Sequence, residues 1–375
     1  MSLDSHAPAG FRSLTTPVYR GSTTLFDDAG SLRDDWRPDR TPYAYGLHGT
    51  PTTFELAGRI ADLEGARYAL ITPGGQAAIA LIYLAFAGAG DHVLTPRNAY
   101  GPNQALAHDL LARLGIEVEL YDPLIGGDIE RLFRPNTRLV WCESPGSVTM
   151  EIQDVPAIAA AARRAGAVCA LDNTYAAGVL FDAFAHGVDV SMQALTKYVG
   201  GHSDLLLGSV STRDEGCYEA LGRARELLGH AVSPDDCSLA LRGLQTLGVR
   251  LAHLEASTLR VAHWLAGRPE IARVLHPALA SCPGHELWAR DFTGSASLFS
   301  IVFADRHDRD AVHGFVNRLS LFKIGYSWGG VTSLATAGDE TPRDYPGYLV
   351  RLNIGLEDPE DLVADLDQAL ASMKA

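Results

Sequence analysis

The sequence predicts an α/β fold in which helices cover a mostly parallel sheet, followed by a smaller α+β domain. Apolar runs and helical patterns take turns from residue 68 to residue 198, which is typical of βα units. The apolar runs do not alternate in polarity, as expected for strands that are covered on both faces. The chain has 375 residues, 47% of them hydrophobic, and is therefore long enough for two packed units.

The elements of the first unit follow one another at short intervals. A glycine turn after the first strand leads into a helix from Gly75, and an alanine-rich pattern predicts a later helix. We predict strands at 68–72, 92–96, 116–122, 138–145, 167–174 and 188–198, and helices from 75, around 104–114 and at 156–165.

The flanking segments complete the predicted domain organisation. Residues 1–48 lack sustained periodicity and are typical of an extended arm that needs a neighbour to bury against. The helical run at 239–265 predicts one long helix between two domains. Strands are expected at 297–303, 320–330 and 348–356. We expect an N-terminal arm at 1–48, a large ligand-binding domain at 49–243 and a C-terminal α+β domain at 244–375.

Charge and cysteine content exclude some classes of protein. Lysine and arginine total 31 against 45 acidic residues, and a formal charge of -14 argues against a nucleic-acid partner. Any bound anion must therefore be held by a local site. The five cysteines are never spaced CxxC, which favours reduced thiols over disulfides and gives no indication of a metal site.

A long uncharged stretch at 69–90 has the composition of a membrane span. Pro73, Gly74 and Gly75 interrupt it near its start and leave a helix of about 14 residues, too short to cross a bilayer. The first residues contain no apolar segment of a secretory signal. We therefore expect a cytoplasmic protein without membrane association.

Open parallel sheets bind ligands beyond the carboxyl ends of their strands, so polar residues there are candidates for a site. The turn at 72–76 runs straight into a helix and offers free N–H groups and a positive dipole end to an anion such as phosphate. An ordinary βα turn has the same composition. Asp172 follows another apolar strand, where it either meets a ligand or caps the next helix.

Lys197 ends a further strand among small residues, although lysine is rarely buried without a partner. A desolvated lysine loses its proton more readily and can attack a carbonyl. Phosphate cradle, carboxylate and lysine are together the parts that hold pyridoxal 5'-phosphate. Tyr100, which follows the strand at 92–96, offers an aromatic face for the ring. The alternative for Tyr100 is an ordinary core or surface tyrosine.

These residues lie in motifs that resemble the Cys/Met metabolism family of pyridoxal-phosphate enzymes, of fold type I. The similarity runs from about Leu14 to Leu370. It is densest in YGLHGTPT (45–52), DHVL (91–94), DPLIG (122–126), ESPGSVTMEIQDVPAI (143–158), LDNTYAAGVLF (171–181), TKYVGGHSD (196–204), YSWGG (326–330) and RLNIGLEDPEDLVADL (351–366).

The resemblance implies a role in cofactor binding for seven residues. Lys197 would bond to the cofactor aldehyde, Asp172 would pair with the pyridine nitrogen, and Tyr100 would stack on the ring. The phosphate would be held by the remaining four, namely the backbone N–H groups of Gly75 and Gln76, the Thr196 hydroxyl, and Tyr45 from the neighbouring subunit. The active unit would then be a homodimer, and assembly to a homotetramer is expected.

The C-terminal domain would supply the substrate pocket. By resemblance, Arg351 grips the α-carboxylate of an amino-acid substrate, a task that suits a planar guanidinium. Tyr326, Ser327 and Trp328 would line the same pocket.

Two positions depart from the family pattern. The family usually has an arginine where this chain has Leu47, and the adjacent His48 would be a weaker substitute as a donor to phosphate. The small hydroxyl often found two residues before Thr196 is Ala194 here. Either the phosphate is held more weakly than in relatives, or both changes are neutral.

The resemblance implies a carbon–sulfur lyase that carries out β-elimination of L-cystathionine to homocysteine, pyruvate and ammonia in methionine biosynthesis. The bulky side chains at 326–328 favour β- over γ-elimination. The alternatives are a cystathionine γ-synthase, a γ-lyase or a broad cysteine-S-conjugate β-lyase of the same family. A non-catalytic cofactor-binding regulator is disfavoured, because Lys197, Asp172 and Arg351 are all present.

Overall fold

A computed structural model describes residues 13–339 and 345–373 of the chain. Within them the protein has two sheets, and the larger one has seven strands. In chain order they are β1 (Tyr68–Thr72), β2 (His92–Pro96), β3 (Glu117–Tyr121), β4 (Thr137–Glu143), β5 (Val168–Asp172), β6 (Val190–Gln193) and β7 (Gly208–Thr212). Their spatial order is β1-β7-β6-β5-β4-β2-β3, and β7 alone runs antiparallel to its neighbours. The predicted α/β fold with a mostly parallel sheet is confirmed.

Helices and turns connect these strands, and their ends follow ordinary capping chemistry. The helices are α1 (Pro51–Glu64), α2 (Gly75–Phe86), α3 (Gly101–Ala105), α4 (Val155–Ala165) and α5 (Glu215–Leu227). Gly65 and Gly166 end α1 and α4 in the left-handed conformation that favours glycine. The helix predicted around 104–114 is α3 followed by a π-helical stretch at Leu106–Leu111 and a 3-10 turn at Ala112–Leu114.

The prediction of a single long helix at 239–265 is wrong. Two helices occupy this region, α6 (Pro234–Leu244) and α7 (Leu247–Ala266). The Arg250 guanidinium donates to the carbonyls of Gly243 at 2.8 Å and of Tyr198 at 2.6 Å. A Cβ at Gly243 would lie 2.1 Å from the Val199 carbonyl oxygen. The chain turns at the end of α6, where the side chain of Arg250 donates to the Gly243 carbonyl, and it packs closely there against the turn that follows β6.

The second sheet has five strands, of which sequence patterns predicted three. Its strands are β8 (Ile271–Leu275), β9 (Leu298–Phe303), β10 (Lys323–Ile324), β11 (Leu334–Ala337) and β12 (Leu349–Asn353), in the order β10-β11-β12-β9-β8. Helices α8 (His285–Asp291), α9 (Arg309–Arg318) and α10 (Pro359–Ala371) complete this part. The strand predicted at 320–330 is limited to β10, and residues 326–330 form a loop.

A shared core joins the two sheets. One buried cluster contains Val140 and Leu171 of the large sheet together with Leu298 and Leu349 of the small one. The domain boundary at 243/244 stays a prediction, because this core crosses it. Within the described residues, no helix is both long and apolar enough to span a membrane.

Candidate active site

A cavity of about 320 Å³ opens at the carboxyl ends of the parallel strands. Its walls come from the β1–α2 turn, the ends of β4 and β5, the turn after β6, and the second sheet. The cavity brings together the predicted site residues Gly75, Gln76, Tyr100, Asp172, Thr196, Lys197, Trp328 and Arg351. A wider cleft of about 810 Å³ lies between residues 14–18 and α6, and it contains none of these predicted residues.

The turn between β1 and α2 forms one wall. Gly74 precedes the helix and has no side chain to satisfy its first N–H groups, which are therefore left for a ligand. A Cβ at Gly75 would lie only 2.7 Å from the Cβ of Ala194, so glycine is needed at this position. Gln76 donates through Nε2 to the Pro102 carbonyl at 2.9 Å, which connects α2 to α3.

Lys197 lies in a turn and not in the strand predicted at 188–198, because β6 ends at Gln193. Its backbone N–H donates to the Ala194 carbonyl at 3.0 Å, and this turn directs the side chain into the cavity. Nζ donates to Ser327 Oγ at 2.7 Å and lies 5.3 Å from the ring centroid of Trp328.

The amine of Lys197 is easier to deprotonate than an exposed one. Burial, followed by the positive charge of Arg351, lowers the pKa of Lys197 to about 8, although the charge of Asp172 acts in the opposite direction. About half of the amine is therefore neutral near pH 8, the form in which it acts as a nucleophile or a base.

Asp172 ends β5 and reaches the same cavity. Its Oδ1 accepts the Thr174 N–H at 3.0 Å. Burial raises the pKa of Asp172, while the bonds from Thr174 and the charge of Lys197 hold it down. Asp172 therefore lines the cavity and accepts the N–H of a turn, but no helix lies in the described residues between β5 and β6, so the alternative of a helix cap is wrong.

Tyr100 precedes α3, and its backbone N–H donates to Glu143 Oε2 at 2.8 Å. Burial raises the pKa of Tyr100, and the charge of Arg351 lowers it. Glu143 begins the sequence motif at 143–158, but no role was predicted for it. The signal was present, since Glu143 is a carboxylate at the end of β4 and satisfies the same strand-end criterion as Asp172.

Arg351 comes from β12 and extends to the cavity from the second sheet. Its Nη2 donates to the Ser327 carbonyl and to Thr336 Oγ1, each at 3.3 Å, so the guanidinium keeps free N–H groups for a ligand. Burial lowers the pKa of Arg351. Gly329, at φ +79°, lets this loop approach Lys197, since a Cβ there would lie 3.2 Å from Lys197 Cβ.

Thr196 also lines the cavity, but its hydroxyl already has partners. Thr196 Oγ1 donates to the Leu207 carbonyl and accepts the Leu207 N–H, both at 3.1 Å. A phosphate would therefore compete with the Leu207 carbonyl for the hydroxyl proton.

Three predicted residues, Tyr45, Tyr326 and Ser327, are not part of the cavity wall in this subunit, although Ser327 Oγ contacts Lys197 Nζ. The Tyr326 side chain is 90% exposed, and Tyr45 is 49% exposed on the arm, where it pairs with Thr23. His48 is buried and its Nε2 lies 3.1 Å from Asp34 Oδ1. Residues 1–12 of the predicted arm lie outside the described part of the chain.

The residues present suit pyridoxal 5'-phosphate on chemical grounds. The cavity offers an amine with a lowered pKa, a carboxylate opposite it, and an aromatic ring at its edge. The α2 N-terminus, kept open by Gly75, suits the phosphate. The free guanidinium of Arg351 suits a second anion such as an α-carboxylate.

Comparison with known proteins gives consistent matches over nearly the whole chain. The profile of the family described as "Cys/Met metabolism PLP-dependent enzyme" matches residues 2–371. A protein of Escherichia coli named cystathionine beta-lyase MetC is 43% identical over 96% of this chain and 94% of its own. The cystathionine beta-lyase of Salmonella typhimurium is 41% identical with the same coverage. The crystal structure of metB from Corynebacterium glutamicum superposes with a TM-score of 0.90 at 31% identity, over 96% of this chain and 94% of that one.

Proposed function

The chain belongs to the Cys/Met metabolism family of pyridoxal-phosphate-dependent enzymes, and we propose that it is a carbon–sulfur lyase that cleaves L-cystathionine by β-elimination. The products are homocysteine, pyruvate and ammonia. The single observation that carries the proposal is the position of Lys197, whose buried amine shares one cavity with the Asp172 carboxylate and the Arg351 guanidinium. The names of the relatives at 41–43% identity support cystathionine as the substrate.

Each wall of the cavity has a part in holding the cofactor. We assign Lys197 to its aldehyde, Asp172 to its pyridine nitrogen, Tyr100 to its ring, and the N–H groups of Gly75 and Gln76 to its phosphate. The hydroxyl of Thr196 adds to the phosphate site if it exchanges its Leu207 partner. When bound, pyridoxal phosphate withdraws the electron pair that remains at the α-carbon after proton removal.

The chain's own residues then orient the substrate and move its proton. Arg351 binds the α-carboxylate through the N–H groups that Ser327 and Thr336 leave free. The neutral amine of Lys197 takes the α-proton as a general base. Ser327 Oγ, 2.7 Å from Nζ, holds the amine in place for this transfer.

The shape of the pocket favours elimination at the β-carbon. The indole of Trp328 packs edge-on against Tyr198, with ring centroids 5.4 Å apart, and fills space beside Lys197. γ-Elimination needs a second proton removal at the β-carbon and room for the bound substrate to rotate. Trp328 supplies most of this bulk, since Ser327 is small and Tyr326 is exposed in the single subunit.

The assembly and location complete the proposal. Tyr45 contributes to the phosphate site of a neighbouring subunit, so the active unit is a homodimer and assembly to a tetramer is expected. The five free cysteines, all in the described part of the chain, support a reducing compartment such as the cytoplasm.

The test is the identity of the keto acid and thiol formed from L-cystathionine by the purified, cofactor-loaded protein. β-Elimination yields pyruvate and homocysteine, whereas γ-elimination yields 2-oxobutyrate and cysteine. Lys197→Ala is the matched control and should give neither pair. Formation of 2-oxobutyrate and cysteine, or of no keto acid, would overturn the proposed reaction.

A further inference from the structure

Glu143 is a second carboxylate in the cavity, and the roles assigned above leave it unused. Its Cα lies opposite that of Asp172 in the parallel pairing of β4 with β5, and both residues line the cavity. Residues in register on adjacent strands point to the same face of a sheet. Two neighbouring carboxylates with little access to water cannot both ionise without a large cost.

The surrounding charges favour ionisation of Asp172. Lys197 lowers the pKa of Asp172, and Thr174 donates its backbone N–H to Asp172 Oδ1 at 3.0 Å. The second cation of the cavity, Arg351, acts on Tyr100 and Lys197. Of the two cations, Lys197 therefore stabilises a negative charge on Asp172.

Burial and the charge of Asp172 outweigh the hydrogen bonds of Glu143 in deciding its protonation. Its Oε2 accepts the Tyr100 N–H at 2.8 Å and its Oε1 accepts the Ser147 hydroxyl at 2.5 Å, and both bonds lower the pKa of Glu143. Burial, followed by the charge of Asp172, raises the pKa of Glu143 to about 8. Tyr83 and Tyr100 also face Glu143, and a negative charge on it would raise the pKa of both phenols.

We propose that Glu143 is a positioning residue that stays neutral beside an ionised Asp172 and fixes the backbone of Tyr100 at the cofactor site. Glu143 thereby holds Tyr100 without cancelling the charge of the cavity. Two cations, Lys197 and Arg351, and one carboxylate leave one net positive charge, which attracts anions into a protein of net charge -14. The role for Tyr100 rests on the proposed function.

The first test compares thermal unfolding of the cofactor-free wild type and Glu143→Gln between pH 5 and pH 9. An acid whose pKa in the folded protein is raised contributes stability at low pH and loses it as pH rises toward the folded value. Glutamine has no such titration. The melting temperature of Glu143→Gln relative to wild type should therefore rise by roughly 2–5 °C between pH 5 and pH 8 and then level off. A difference that stays constant with pH would overturn the proposal.

Infrared spectroscopy gives a second test if the glutamine variant does not fold. In cofactor-free wild type labelled with ¹³C-glutamate, a buried protonated carboxyl band should be present at pH 6 and disappear near pH 8. Ser147→Ala should shift this band, because it removes the hydroxyl next to Glu143. Ser191→Ala is the matched control, since Ser191 donates to another buried glutamate, Glu64, at 2.6 Å.

Absence of a protonated band sensitive to Ser147→Ala at pH 6 would overturn the proposal. Both experiments use the protein without substrate or cofactor. They therefore test the protonation of Glu143 whether or not the protein cleaves cystathionine.

Discussion

Lys197 is one of only three lysines in the chain, and the fold places it where its amine is most easily deprotonated. Competitive acylation of the cofactor-free protein measures this directly, with exposed Lys323 as internal reference. The reactivity of Lys197 should rise with pH and reach half its maximum near pH 8.

Asp172 raises the pKa of Lys197, so Asp172→Asn should move the midpoint to lower pH. An unchanged midpoint in Asp172→Asn would contradict the pairing of these two residues.

Arg351 should contribute binding and positioning of the substrate carboxylate. Loss of a fork-shaped partner for a buried carboxylate costs about 2–5 kcal/mol. Arg351→Ala should therefore lower kcat/KM for cystathionine by roughly 30-fold or more. Arg59→Ala removes an exposed arginine of α1 and serves as control. Equal kcat/KM for Arg351→Ala and Arg59→Ala would contradict the assignment.

Strand-end reasoning found Lys197, Asp172 and Gly75, because the carboxyl ends of parallel strands meet at one edge. It could not find Arg351, whose place depends on how the second sheet packs against the first. Only the resemblance pointed to that residue. Tyr326 shows the reverse case, since its motif predicted a pocket residue and the side chain is exposed in the single subunit.

At the scale of elements, the α2 N-terminus depends on the close contact between Gly75 and Ala194. Gly75→Ala should weaken pyridoxal-phosphate affinity by about 5- to 100-fold, since overpacking of this kind costs about 1–3 kcal/mol and displaces the N–H groups. The double variant Gly75→Ala/Ala194→Gly removes the clash and should restore most of the affinity.

Gly58→Ala, which has open space on α1, is the matched control for this pair. If the double variant does not regain cofactor binding, the contact between Gly75 and Ala194 does not determine the geometry of the phosphate-binding turn.

Leu47 of the arm stands where the family usually has an arginine, and His48 lies next to it. An added charge-assisted hydrogen bond is worth about 1.5–3 kcal/mol, so Leu47→Arg should slow cofactor loss on dialysis if phosphate is held weakly. His48→Ala should speed this loss if the imidazole compensates. Since His48 contacts Asp34, Asp34→Ala controls for loosening of the arm. Equal off-rates in all four proteins would remove both positions from the phosphate site.

Element boundaries were harder to predict than element types. The break between α6 and α7 depends on Arg250, whose long-range bonds leave no periodic signal. Strand β11 has only four residues, and β8 has two exposed residues, Ala272 and Arg273, in its first half, so both produce weak patterns. The turn that holds Lys197 continues the apolar run of β6, which made the whole segment look like one strand.

At the scale of the molecule, the arm predicts an active unit larger than one chain. Tyr45 is half exposed and lies outside the cavity wall of its own subunit. Light scattering should show at least a dimer. Subunits of two inactive variants, Tyr45→Ala and Lys197→Ala, should regain activity after mixing and exchange, because a mixed dimer contains one intact site. An active monomer, or no recovery after verified subunit exchange, would contradict this arrangement.

The most direct measurement for the central claim is reduction of the cofactor-loaded protein with borohydride, followed by peptide mapping. The small number of lysines makes the result unambiguous, since Lys197, Lys323 and Lys374 lie in separate peptides. The account predicts a covalent pyridoxyl group on Lys197 alone, and none on Lys197→Ala. A label on Lys323 or Lys374, or no label on an active protein, would contradict the assignment of the site.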